Sequence, residues 1–248
     1  MNIYTMNNVT TVTERRQEMK LVLLNSKKET CHSKIIEKIK DLVNSVNPSI
    51  GYMTSRLDRS GYYYQQTKAN YEKYDLKLGQ AIDLTDEYDA HWIHTLFACD
   101  AIHLTDGNAF QFMYWIKKRN LELQLIDYCN TGGLLIGEGA GAILFTPTLT
   151  ISTLCGHKNN FNLDNTKGFG FTNFHFLPCE INKHDILKGT NWAKHHHCTT
   201  VLGGSNDAMI VDDNNITYIG NPTIIPGAKI VQEERRRTIH KWLYFTRK

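Results

Sequence analysis

The chain is 248 residues long, 41% hydrophobic and 21% charged, with a formal net charge of +3. These values describe a soluble folded protein rather than a disordered or fibrous one, and the length allows one large α/β domain or two small ones. The charge is too slight to argue for a nucleic-acid partner, and no window approaches the roughly 18 apolar residues of a spanning helix, so no membrane partner is expected.

Residues 1–18 are polar and lack the apolar core of a signal peptide, which predicts a disordered extension and a cytoplasmic location. Residues 20–25 (KLVLLN) read as a first buried strand. Residues 33–46 carry Ile35, Ile36, Ile39, Leu42, Val43 and Val46 at helical spacing. Residues 49–54 predict a second strand, 61–74 a tyrosine-rich helix and 76–84 a third strand. Residues 89–98 predict a helix with Asp86 or Asp89 as its cap, and 101–104 a fourth strand. After the turn Asp106-Gly107-Asn108, residues 109–119 and 121–129 read as helices. Thr131-Gly132-Gly133 then breaks the chain before the next strand. Beyond residue 145 the pattern turns β-rich, with strands expected over 149–154, 174–177, 199–202, 208–211 and 216–219. Asp212-Asp213-Asn214-Asn215 is the hairpin signal between the last two.

This alternation implies a parallel sheet with helices on both faces and ligands at the carboxyl ends of its strands. The turns after Leu104 and Ile136 are therefore the places to look for a site. The run from Leu134 to Ala142 is the most informative. It reads as a buried strand, a sharp glycine turn and the start of a helix. That is the geometry of a nucleophile elbow, in which a strained turn lifts one side chain above the sheet. The crest position is Gly139, which has no side chain to lift; a register one residue earlier would place Glu138 there instead.

Three blocks in the same order and spacing resemble the peptidase E (aspartyl dipeptidase) family of serine peptidases, over about residues 19–230. Cys99-Asp100-Ala101-Ile102-His103-Leu104 leading into Asp106-Gly107-Asn108-Ala109-Phe110 is similar to the family's strand and GGNTF-type loop. Gly132 to Gly137 leading into Ala140-Gly141-Ala142 is similar to its GxSAGA elbow. Phe174-His175-Phe176-Leu177-Pro178 resembles the segment that ends in its catalytic histidine. The resemblance implies a class I glutamine-amidotransferase-like fold: an α/β three-layer sandwich with a mostly parallel central sheet and a β-rich C-terminal portion. It also implies hydrolysis of Asp-Xaa dipeptides by a Ser-His-acid set, with no cofactor.

The catalytic positions depart from that pattern. The serine position is Gly139 and the histidine position Cys179. The stretch from Ile151 to Asn160, where the acid would fall, holds Ser152, Thr153, Cys155, His157 and Lys158, and no carboxylate follows before Asp164. Asp106 stands where the family's oxyanion loop has glycine, and its charge would oppose an oxyanion. The expected product is a pseudoenzyme on a peptidase scaffold. Gly107, Asn108, Ala140 and Gly141 are the candidate oxyanion or ligand contacts, with Asp106, Glu138 and His157 adjacent. Backbone N–H groups of Gly139, Ala140 and Gly141 at a helix start suggest a small acidic peptide or anion as ligand. The alternative is a hydrolase that uses Cys179 with His157, His175 or His184 as base.

Other features carry less. The six cysteines, Cys31, Cys99, Cys129, Cys155, Cys179 and Cys198, form no CxxC pair and read as reduced thiols. Adjacent histidines on a strand point to opposite faces, so in the histidine run only His195 and His197 could share an ion, and no second ligand cluster accompanies them, so no metal is expected. An exposed loop or strand edge is expected for that run. The elbow lacks the G-x-G-x-x-G spacing of a dinucleotide site. Asp100, Asp106, Asp207, Asp212 and Asp213 read as turn and cap residues. Residues 19–230 are expected to form one domain followed by a basic tail over 231–248, with either a monomer or a homodimer compatible with the sequence.

Overall fold

The computed structural model describes residues 19–25, 33–87, 89–213 and 215–227. The N-terminal extension, Cys31 and the basic tail lie outside the described residues.

The first half is a run of strand–helix units. β1 (Lys20–Leu24), β2 (Ser49–Thr54), β3 (Lys77–Asp83), β4 (Ala101–Leu104) and β5 (Leu134–Glu138) are joined by α1 (Ser33–Val43), α2 (Tyr62–Glu72), α3 (Ala90–Phe97), α4 (Ala109–Lys118) and α5 (Glu122–Asn130). The starts of α3 and α4 are set by capping. The Asp89 carboxylate accepts the His91 N–H at the head of α3. The Asn108 side chain accepts from Phe110 and Gln111 at the head of α4. Each removes an orphan donor of a helix terminus.

These strands form a sheet in the order β3-β2-β4-β5-β1, all parallel. It is extended on the far edge by the antiparallel hairpin β8 (Ala208–Asp212) and β9 (Asn215–Ile219). A second sheet, β10-β7-β6, joins β6 (His175–Pro178), β7 (Thr200–Gly203) and β10 (Thr223–Ile225). In chain order, the short α6 (Ala140–Leu144) and a 3-10 helix (Leu149–Cys155) lie between β5 and β6, and α7 (Lys183–His196) lies between β6 and β7.

The parallel strands are buried on both faces, as helix-covered sheets require, and their side chains alternate between two cores. Leu21 and Leu23 join the core under α4, α5, α6 and the second sheet, whereas Val22 and Leu24 join the core under α1 and α2. Along β5, Leu135 faces the former and Leu134 and Ile136 the latter. This period of two also decides which way the polar residues at the strand ends face.

Two expectations for the second half are corrected. Residues 149–154 form the 3-10 helix rather than a strand: the Thr148 hydroxyl accepts the Thr150 N–H and Gly156 ends the segment in a left-handed conformation at φ 84°. The β-branched composition suggested a strand, but the local cap and the burial of Leu149 and Ile151 decide for a helix. The run His195–His197 is neither loop nor strand edge. It ends α7, which begins at the Asn182 cap and stops at His197 in a left-handed conformation. Strand β10 was not anticipated at all.

Candidate functional site

The chain leaves β5 at Glu138, turns at Gly139 and enters α6 at Ala140. Gly139 therefore sits at the crest, with φ 53° and ψ −110°, a conformation that side-chain-bearing residues rarely adopt. A turn this sharp folds α6 back over the strand ends. Gly141 makes that approach possible: a Cβ there would run into the Leu104 carbonyl of β4.

The N–H groups expected to receive an anion all have internal acceptors. Gly139 donates to the Leu24 carbonyl at 3.0 Å and Gly141 to the Thr105 carbonyl at 3.2 Å. Ala140, which follows the crest, donates to Asp106 Oδ1 at 3.0 Å. Asp106 is thus more than a turn residue. Its carboxylate lies against the N–H at the start of α6 and is also held by the Gly107 N–H. Burial pushes its carboxyl above the usual carboxylate range, against the pull of those two N–H groups; Glu138 adds repulsion and His157 opposes it. Asn108, besides capping α4, ties the loop to the Lys158 carbonyl at 3.0 Å.

Asp106 lines a cleft of about 380 Å³ together with Cys155, His157, Cys179, Glu180 and Asp185. Of the sequence candidates, Cys179, His157 and Asp106 are therefore brought together. Burial pushes both the Cys155 and the Cys179 thiols up to about 12, and Asp185 adds to the effect at each. Burial lowers the His157 imidazole, with Asp106 acting against it. Its Nδ1 accepts the Ala109 N–H at 3.4 Å.

The other two histidines proposed as bases lie elsewhere. His175 is buried with its Nδ1 accepting the Trp192 indole N–H at 2.8 Å, and burial lowers it to about 4. His184 is exposed in the first turn of α7. His196 stacks on Trp192 at 3.9 Å between ring centroids. No cluster of three metal-ligating side chains occurs among the described residues.

Glu138 does not belong to that cleft. Two residues after Ile136, it faces the α1–α2 side of the sheet and enters a second cavity of about 250 Å³. There its Oε2 lies 3.2 Å from His103 Nε2, and His103 Nδ1 lies 3.1 Å from the Tyr71 hydroxyl. Tyr52, Tyr64 and Arg56 complete much of the wall. Sequence reasoning missed this group. The available signal was a histidine at a buried position of a parallel strand, His103 in Ala101–Leu104, where a polar side chain needs a partner.

No helix among the described residues is long and apolar enough to cross a membrane.

The comparisons with known proteins agree with this architecture. The uncharacterized peptidases Lmo0363 of Listeria monocytogenes and Lin0382 of Listeria innocua are each 27% identical over 125 residues, half of this chain. The matched part spans 60% and 59% of those relatives, so only part of their length is represented. A crystal structure of a candidate peptidase E from Listeria monocytogenes EGD-e superposes with a TM-score of 0.67 at 17% identity, covering 82% of this chain and 99% of that one. A peptidase from an acI-B1 Actinobacterium gives a TM-score of 0.58 at 14% identity, covering 87% of this chain and 93% of that one. Both share the fold. The sequence profile of Peptidase family S51 matches residues 21–221, and with the mixed sheet, the glycine turn and the loop that faces it, the chain belongs to that peptidase-E-type family.

Proposed function

We propose that this chain is a non-catalytic member of the family, in which Gly139 occupies the nucleophile position and Cys179 the histidine position. The observation that carries the reading is the bond from Ala140 N–H to Asp106 Oδ1. In an acyl-transfer site the N–H after the nucleophile stabilises the developing oxyanion. Here a carboxylate of the chain itself holds that donor, and no oxygen nucleophile extends from the crest. Losing a triad serine alone costs about 10⁶ in turnover in a well-studied protease.

The role left to the cleft is binding of a small peptide or of a protein partner. A small acidic peptide or anion, the ligand expected from the N–H groups of Gly139, Ala140 and Gly141, would have to displace Asp106 or meet it protonated, and Glu180 and Asp185 line the same walls. The rival hydrolase reading, with Cys179 as nucleophile, needs a thiolate. A thiol held at about 12 is protonated near neutral pH.

Assay of the wild-type chain on Asp-Leu tests the proposal. We expect no release of leucine above the uncatalysed rate. Turnover that Cys179→Ala abolishes would overturn the proposal in favour of the cysteine mechanism, and turnover that survives it would overturn both.

A further inference from the structure

We infer that Cys155 and Cys179 form a paired modification site, two thiols that close to a reversible disulfide when a small disulfide such as glutathione disulfide reaches the cleft. The inference is independent of whether the β5–α6 turn catalyses anything and of whether the cleft binds a peptide.

Folding brings the pair together. Cys155 is the last residue of the 3-10 helix, and Cys179 directly follows β6. The helix packs on that strand, and both cysteines line the cleft of about 380 Å³. The Cys155 thiol donates to the Pro178 carbonyl at 3.6 Å, and the next residue along the chain is Cys179. The two are close enough for a charge on Cys155 to oppose ionisation of Cys179. The other described cysteines have different surroundings. Cys198 donates to the Asn173 carbonyl ahead of β6, Cys99 donates to the Thr95 carbonyl in α3, and Cys129 is buried in α5.

A disulfide needs Cα atoms about 4.4–6.8 Å apart and Cβ atoms that face each other, so one side must be able to settle. Cys179 is the fixed side. Its N–H donates to the Gly203 carbonyl at 3.1 Å and its own carbonyl accepts from Asn25 at 3.0 Å. Cys155 is the adjustable side. The backbone after it turns at Gly156 with φ 84°, and a Cβ on that glycine would meet only open space. Cys155 also keeps solvent contact, although the protein crowded around its thiol disfavours the charged form.

The chemistry is thiol–disulfide exchange. The Cys155 thiolate attacks one sulfur of glutathione disulfide and expels a glutathione thiolate, which takes up the proton that Cys155 lost. The Cys179 thiolate then attacks the Cys155 sulfur of this mixed disulfide. The second glutathione leaves and takes up the second proton. Two protein thiols are oxidised, and one external disulfide is reduced to two thiols. Both protein thiols are protonated near neutral pH, so the first step is slow there and quickens as pH rises. The second step is intramolecular and gains from proximity. The bridge pins the end of the 3-10 helix to β6 beside Asp106 and His157, which line the same cleft.

Mapping the cross-link tests the site. The reduced full chain is incubated with glutathione disulfide at mildly alkaline pH, quenched with N-ethylmaleimide, digested without reductant and read by mass spectrometry. We expect the peptides carrying Cys155 and Cys179 to be joined, and dithiothreitol to separate them. Cys179→Ser should trap the mixed disulfide, so that Cys155 carries several-fold more glutathione than in wild type. Wild-type cysteines that stay free or carry glutathione without joining would overturn the assignment. So would a cross-link that appears only after unfolding in urea, or equal pairing of either residue with Cys31, Cys99, Cys129 or Cys198. If Cys179→Ser fails to fold, the wild-type maps in native buffer and in urea still decide it.

Discussion

The cleft beside the β5–α6 turn and the tyrosine-lined cavity share Asn25 and Asp106, but they differ in what their polar groups still offer. At the turn, the N–H groups of Gly139, Ala140 and Gly141 all have acceptors within the chain, and the thiols nearby are protonated by burial. On the other face, Glu138 Oε2 meets His103 beside aromatic walls, and its second carboxylate oxygen has no hydrogen-bond partner among the described residues. The geometry of a reactive turn is thus maintained by packing and by hydrogen bonds within the chain. It needs the glycines that let α6 approach β4, and it does not need a nucleophile. Polar capacity is distributed independently of that backbone.

The largest expected effect tests the packing half of this contrast. Gly141→Ala places a methyl against the Leu104 carbonyl, which is backbone and has little freedom to move. Its cost should reach or exceed the upper end of the ~1–3 kcal/mol typical of overpacking. Urea unfolding would read it, and a loss well under ~1 kcal/mol would mean that the turn does not depend on that approach.

Tyr71→Phe comes next and probes the other cavity. It removes the hydroxyl partner of His103 Nδ1 inside a buried pair. Leaving a buried polar group unsatisfied costs about 1–3 kcal/mol. A thermal melt unchanged from wild type would show that the His103–Glu138 pair does not rely on Tyr71.

The smallest effect is electrostatic and belongs to the boundary between the two. Burial raises the Asp106 carboxyl above its ordinary 3.8, so the folded chain binds that proton more tightly than the unfolded one. Stability therefore falls as pH rises through the window just above 3.8 and levels off once the carboxyl is ionised in both states. Asp106→Asn retains an acceptor for Ala140 N–H and should flatten this part of the pH–stability curve. Denaturation midpoints across that window, compared for the two proteins, would reveal it; parallel curves would contradict the assigned shift.

Much of the parallel half was legible before any coordinates. Strands β2 and β4 fall on the residues their apolar runs indicated, and Asp89 caps α3 as its position suggested. The glycine turn was legible too, because Gly137, Gly139 and Gly141 around a buried strand end have few other meanings. The second half was harder. Leu149–Cys155 has a strand's composition and a helix's cap, and the latter decided. The histidine run has strand-like neighbours, but it only ends a helix set in motion at Asn182.

By itself, the sequence determined the order of the elements, the alternation that buries both faces of the parallel sheet, and the absence of a side chain at the crest of the turn. These are properties of local pattern and residue type. Only the tertiary structure decided where the polar groups meet: that Asp106 reaches the Ala140 N–H from a separate loop, that Cys179 shares a cleft with His157, and that Glu138 turns away toward His103 and Tyr71. Those pairings join residues far apart in the chain. They follow from strand order and register, which no local pattern encodes.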